Sequence, residues 1–132
     1  MVFEMAEICM VRLVIPIESF DIERSVIAEH FEQAPEFVVI DLSREGRVIS
    51  ITSKRNIGGR GRLESIVTSL KPDALVVKDM RPRGFAAFQS SGIVVFASPV
   101  NSVGEAVEAY LAGRLTCLTE PFKDSRHGLA RS

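Results

Sequence analysis

Short, densely apolar runs alternate along this chain with longer amphipathic ones, and the two periods predict its elements. Residues 11–17, VRLVIPI, are apolar or β-branched at nearly every position, as in a central strand covered on both faces. Residues 21–34 open on Asp21, a candidate N-cap, and place Val26, Ile27, His30 and Phe31 at helical spacing until Pro35 stops them. That spacing predicts a short helix or turn after the first strand. Residues 36–42 and 47–53 are β-rich and are separated by Ser43-Arg44-Glu45-Gly46, whose length and glycine suit an antiparallel hairpin.

Residues 54–62 carry Gly58, Gly59 and Gly61 and lead into Leu63, Ile66, Val67 and Leu70, an amphipathic stripe closed by Pro72. Ala74-Leu75-Val76-Val77 reads as a strand. Pro82 stands where a first helical residue could, with Phe85 and Phe88 behind it and Gly92 as the stop. Residues 93–97 form another buried-type strand. Ser102 and Glu105 make a capping box for a helix with Val103, Ala106, Val107, Tyr110 and Leu111 on one face, ended by Gly113. From Thr119 onward the chain is polar and aperiodic, and little order is expected. The predicted order is β-α-β-β-α-β-α-β-α. Right-handed crossovers then give an α/β fold with a mixed five-stranded sheet and helices on both faces.

Composition narrows the class without naming a function. With 132 residues, 46% hydrophobic and 25% charged, the chain has the makeup of one ordinary globular domain. Sixteen basic residues against seventeen acidic ones give a net charge of −1, which argues against binding nucleic acid or anionic lipid through bulk charge. Cys9 and Cys117 lie far apart in no metal or redox spacing, and both read as small buried residues, which fits a reducing compartment. The start of the chain lacks a basic n-region and a cleavage site, and no apolar run is long enough to cross a bilayer. A soluble, cytoplasmic protein is the expectation.

In open sheets of this type, ligands bind outside the carboxyl ends of the parallel strands. Four loops reach that end, at residues 18–24, 54–62, 79–83 and 98–102, and two of them are basic. Lys54, Arg55, Arg60 and Arg62 meet no acid until Glu64, and Lys78, Arg81 and Arg83 surround only Asp79. A glycine-bearing turn entering a helix also presents backbone N–H groups and a positive dipole end. An anion-accepting cleft is therefore expected from Arg55, Gly58, Gly59, Arg60, Gly61, Arg62, Arg81 and Arg83; the plainer alternative is a pair of solvated basic loops. The glycine loop is neither a phosphate-binding Walker motif nor a dinucleotide fingerprint. No nucleophile has a base beside it in sequence, so no enzyme activity is expected.

At His30-Phe31-Glu32-Gln33-Ala34-Pro35-Glu36-Phe37 the chain resembles the dinitrogenase iron-molybdenum cofactor biosynthesis family, whose members carry His-Phe-Gly-x-Ala-x-x-Phe before their second strand. The resemblance continues from Pro82 to Gly92 and is strongest over residues 103–115, VGEAVEAYLAGRL, with Leu118-Thr119-Glu120-Pro121 and His127-Gly128 beyond. It spans roughly residues 10–128, and implies a ribonuclease-H-like fold. It also implies a stand-alone, non-catalytic protein that binds or carries an anionic iron-sulfur or iron-molybdenum cluster, or a small acidic ligand. Cofactor-assembly or nitrogenase-like proteins would be its partners. The alternative is a regulatory or protein-interaction module of the same fold without metal. Three departures stand out: Glu32 replaces a glycine, Ile57 and arginines occupy a loop where relatives often place histidine, and Asp79-Met80 replaces a Gly-Gly pair.

Under that resemblance His30 is the candidate metal ligand; the alternative is a histidine hydrogen-bonded between strand one and the neighbouring helix. His127, in the tail, is a weaker candidate. Ribonuclease-H-like nucleases hold metal through clustered carboxylates, one on the first strand, and here that strand offers only Arg12. Met10-Val11-Arg12-Leu13 matches the usual start of relatives. Residues 1–9 then form an extension that could lengthen strand one or pair with a second copy, residues 10–118 the domain, and residues 119–132 a flexible tail.

Overall fold

The computed structural model describes residues 9–56 and 63–120 of the chain. Its strands are β1 (Cys9–Ile17), β2 (Glu36–Ser43), β3 (Val48–Arg55), β4 (Ala74–Val77), β5 (Val94–Ala97) and β6 (Thr116–Cys117). Three helices, α1 (Leu63–Ser69), α2 (Pro82–Ser90) and α3 (Val103–Leu111), join them. The strands form one sheet in the order β3-β2-β1-β4-β5-β6. β1, β4 and β5 are parallel, whereas β2 runs antiparallel to both β1 and β3. β3 therefore points the same way as β1.

Because the strands are apolar on both faces, each face must be covered, and it is. Leu13, Ile15, Ile17, Val38, Ile40 and Val76 pack with Val103, Ala106 and Val107 of α3 on one side. Val14, Phe37, Val39, Leu75 and Val77 pack with α1 and α2 on the other, through Leu63, Val67, Phe85 and Phe88. The capping box forms as its spacing predicts: the Ser102 hydroxyl accepts from the Glu105 N–H at 3.3 Å and donates to the Glu105 carboxylate at 3.0 Å.

Two expectations are corrected here. The sheet has six strands among the described residues, not five, because Thr116 and Cys117 add antiparallel to β5 opposite Ala97 and Phe96. A two-residue polar strand has no period to read. Its residues flank two anchors, with Leu115 buried and the Leu118 N–H donating to the Val95 carbonyl at 2.9 Å. Those anchors leave Cys117 outside, so it is an exposed free thiol and not a core residue.

The segment 21–34 takes the turn and not the helix. β1 is paired with β2 as far as Ile17, but with β4 only at Leu13 and Val14. Its last residues therefore have one edge without a strand beside it. The returning chain fills that edge: Val26 accepts from the Glu18 N–H, the Ala28 N–H donates to Pro16, and Ile27 bridges Ile17. The same segment bonds outward, from the Ile27 N–H to Asn101 and from the Phe31 N–H to Asp79, both in loops that leave neighbouring strands. An isolated helix of this length is marginal in water, whereas these bonds satisfy β1 and also bury Ile27, Ala28 and Phe31.

The helical part of the segment is a single 3-10 turn, Phe31–Gln33. Phe31 is fully buried, edge-on to Phe88 at 5.5 Å and tilted against Phe37 at 5.8 Å. Replacing Phe31 with Ala is expected to destabilise the fold by about 3–5 kcal/mol, measured by denaturant unfolding, through the cavity left beneath the sheet.

Candidate functional site

Since β1, β3, β4 and β5 share one direction, the four loops expected at the carboxyl end do leave from it. Gly58, Gly59, Arg60, Gly61 and Arg62 lie outside the described residues, as does His127. The flanks of their loop are defined. On one side the Asn56 N–H donates to Pro35 and its side-chain amide to Ala34, at 2.9 and 2.8 Å. Among the described residues the buried Asn56 Oδ1 has no hydrogen-bond partner. On the other side α1 begins, and its Glu64 carboxylate lies 3.6 Å from where a Cβ on Gly84 would stand. The first turns of α1 and α2 are thus neighbours, as a shared rim requires.

His30 is held at the mouth of β4. Its Nδ1 is 3.0 Å from the Asp79 carboxylate, and the backbone of the next residue, Phe31, donates to the Asp79 carbonyl at 3.0 Å. The imidazole is 37% exposed on its side-chain surface, so it is fixed in direction yet open to solvent. One residue on, Glu32 accepts from the Arg81 N–H at 2.7 Å and so satisfies a free donor at the start of α2. Lys78 bonds the Asn101 side chain and stands 3.8 Å from Glu29.

Arg55, Arg81 and Arg83 are all exposed. Arg55 lines an open cleft of about 390 Å³ together with Glu18, Ser19, Pro35, Glu36 and Asn56. Arg81 and Arg83 stand at the start of α2 and do not line it. Among the described residues, acids stand beside these cations: Glu18 and Glu36 line the cleft with Arg55, Glu29 stands near Lys78, and Glu32 accepts from the Arg81 N–H. Glu18, Glu29, Glu32 and Glu36 arrive with the segment 18–36, and Asp79 with the loop after β4. Elsewhere, at the far end of the sheet, burial raises the Tyr110 phenol above its ordinary value, and the Asp73 charge adds to this.

The rim's chemistry is thus of mixed sign, with one oriented imidazole. No group of three or more His, Cys, Asp or Glu is arranged to hold a metal ion among the described residues. None of their helices is long and apolar enough to cross a membrane. Sequence reasoning found His30 and missed its partner Asp79, although an acid directly after a strand's carboxyl end was a usable signal. Glu32 and Asn56 gave no comparable sign.

Comparison with known proteins agrees with this fold. An uncharacterized protein of Methanocaldococcus jannaschii is 21% identical over 99 residues, which cover 71% of this chain and 84% of that protein. The solution structure of a candidate NifB protein from Thermotoga is similar at a TM-score of 0.73 and 22% identity, covering 87% of this chain and 99% of that one. The apo form of the orange protein from Desulfovibrio gigas is similar at a TM-score of 0.73 and 20% identity, covering 86% and 98%. At such identities these structures establish the fold. Residues 11–113 match the family described as dinitrogenase iron-molybdenum cofactor, and with most of its length so matched, the chain belongs to that family.

Proposed function

We propose that this chain is a non-catalytic binding or carrier domain that receives an anionic metal-sulfur cluster of the iron-molybdenum cofactor kind, or a small acidic ligand, as cargo at the carboxyl rim of its sheet. The observation that carries the reading is the His30–Asp79 pair. Histidines that bind metal commonly donate their other ring N–H to a carboxylate, which fixes the tautomer and raises the basicity of the free nitrogen. With Nδ1–H donating to Asp79, Nε2 keeps its lone pair for an incoming metal.

A cluster that arrives with its own sulfides and organic acid needs few protein ligands, so one imidazole fits it better than a bare ion. Lys78, Arg81 and Arg83 around His30 then balance its negative charge. The proposal includes a cytoplasmic location, handover to cofactor-assembly proteins, and the ribonuclease-H-like label for the β3-β2-β1-β4-β5 core. A second reading, an interaction module without metal, is favoured by Glu18 and Glu36 in the cleft.

Anaerobic incubation with ferrous iron and sulfide, followed by gel filtration, metal analysis and visible absorbance, separates the two. Retained iron with a visible chromophore is expected, and its absence favours the module. His30→Ala should abolish retention, while Asp79→Asn should weaken it by about 10–100-fold, because it disturbs the ring's tautomer and leaves the ring in place. Replacing Arg81 and Arg83 together with Ala should lower affinity only a few-fold, as exposed charges do, and flatten its dependence on salt.

A further inference from the structure

Between β1 and the 3-10 turn, residues 18–26 form a loop closed at its neck by the Glu18 N–H donating to the Val26 carbonyl at 2.9 Å. It holds Phe20, Ile22 and Val26, three of the six large apolar side chains exposed among the described residues, with exposures of 36%, 51% and 53%. Single exposed apolar residues need no explanation, but half of those exposed among the described residues fall on this one nine-residue loop.

The loop is also held under strain. Ile22 has a φ of 51°, a left-handed conformation that is costly for a β-branched residue. The only other described non-glycine residue with positive φ is the unbranched Lys71. Such strain persists only where the surroundings over-determine it. Here Asp21 N–H donates to the Ser25 hydroxyl, that hydroxyl donates to the Ile22 carbonyl, and the Phe20 N–H is fixed on Glu36, each at 2.7 Å. The first N–H groups of α3, on Val103 and Gly104, donate to Ser25 and Glu23. Gly104 permits this approach, since a Cβ there would lie 3.1 Å from the Glu23 carbonyl oxygen. The result is a rigid apolar tip whose loop carries exposed Glu18, Asp21 and Glu23 against the single cation Arg24, with Arg55 across the cleft from Glu18.

We infer that loop 18–26 is a docking knob for a partner protein that carries an apolar pocket rimmed by Lys or Arg. The acids choose this occupant. They repel an anionic membrane, and in a two-fold pairing with a second copy they would face one another. A rigid tip inserts into a preformed pocket without an ordering cost. The knob adjoins the rim, since Glu18 and Ser19 also line the cleft, but the inference stands without a bound cluster.

The test places a photo-crosslinking benzoylphenylalanine at position 22 of the full chain in its host cell, with position 89 on exposed α2 as control. The crosslinked protein is identified by mass spectrometry, purified, and titrated with the unlabelled chain. The expected result is one protein captured at position 22 and not at 89. Its affinity should fall about tenfold in Phe20→Ser, in Ile22→Gly and in Glu23→Lys, and fall with added salt. Ile22→Gly should meanwhile hold or raise the unfolding midpoint, because glycine accepts the positive φ. Capture of lipid, of a second copy, or of nothing beyond the control would overturn the inference. So would an affinity unmoved by the three variants, or a midpoint lowered by Ile22→Gly.

Discussion

At the end of β1 the Pro16 carbonyl and the Glu18 N–H need backbone partners on one edge, and most of what distinguishes this molecule depends on how that need is met. β2 satisfies the other edge as far as Ile17, and β4 is paired to β1 only through Val14. Buried backbone groups left without partners are costly, so the chain returns and supplies them from Val26 and Ala28. Once those residues are fixed, His30 and Phe31 have no choice of place. Both are drawn to Asp79, and Glu32 to the start of α2. The preceding nine residues must then close into the loop that carries Phe20 and Ile22. A local shortfall in sheet pairing thus builds the rim.

In such folds the crevice between diverging strands at the carboxyl end is the usual place for a ligand. Here part of it is filled by the chain's own segment, which moves the accessible chemistry outward, onto side chains projecting from the filler. This accounts for the mixed charge of the rim. Arg55, Arg81 and Arg83 come from the frame of the fold, and the carboxylates of Glu18, Glu29, Glu32 and Glu36 come from the insert. A cargo binding there would meet both, with the imidazole of His30 between β4 and the insert as the oriented donor.

Much of the frame was legible in the sequence, for physical reasons that can be named. Leu13 to Ile17 and Ala74 to Val77 are apolar at successive positions, as in a doubly covered strand. Ser43 to Gly46 could hardly do other than turn, and Ser102 with Glu105 announced a helix start. The insert was not legible, because Val26, Ile27, His30 and Phe31 satisfy helical spacing while their bonds go to β1 and to distant loops. Tertiary pairing overrode local period. β6 was missed because two residues have no period, and Cys117 because an edge thiol and a buried one look alike in sequence. The resemblance over residues 103–115 pointed to the right family, and the structure gives part of that motif a reason: Gly104 lets the loop from β1 lie against α3.

The central claim is that the segment 26–31 is bonded into the open edge of β1 and to the loop after β4, and it can be read directly by native-state amide hydrogen exchange. If the claim holds, the amides of Ala28 and Phe31 are protected to a degree comparable with those of β1 itself. Amides at 28 and 31 that exchange as freely as an exposed loop, while β1 stays protected, would contradict it.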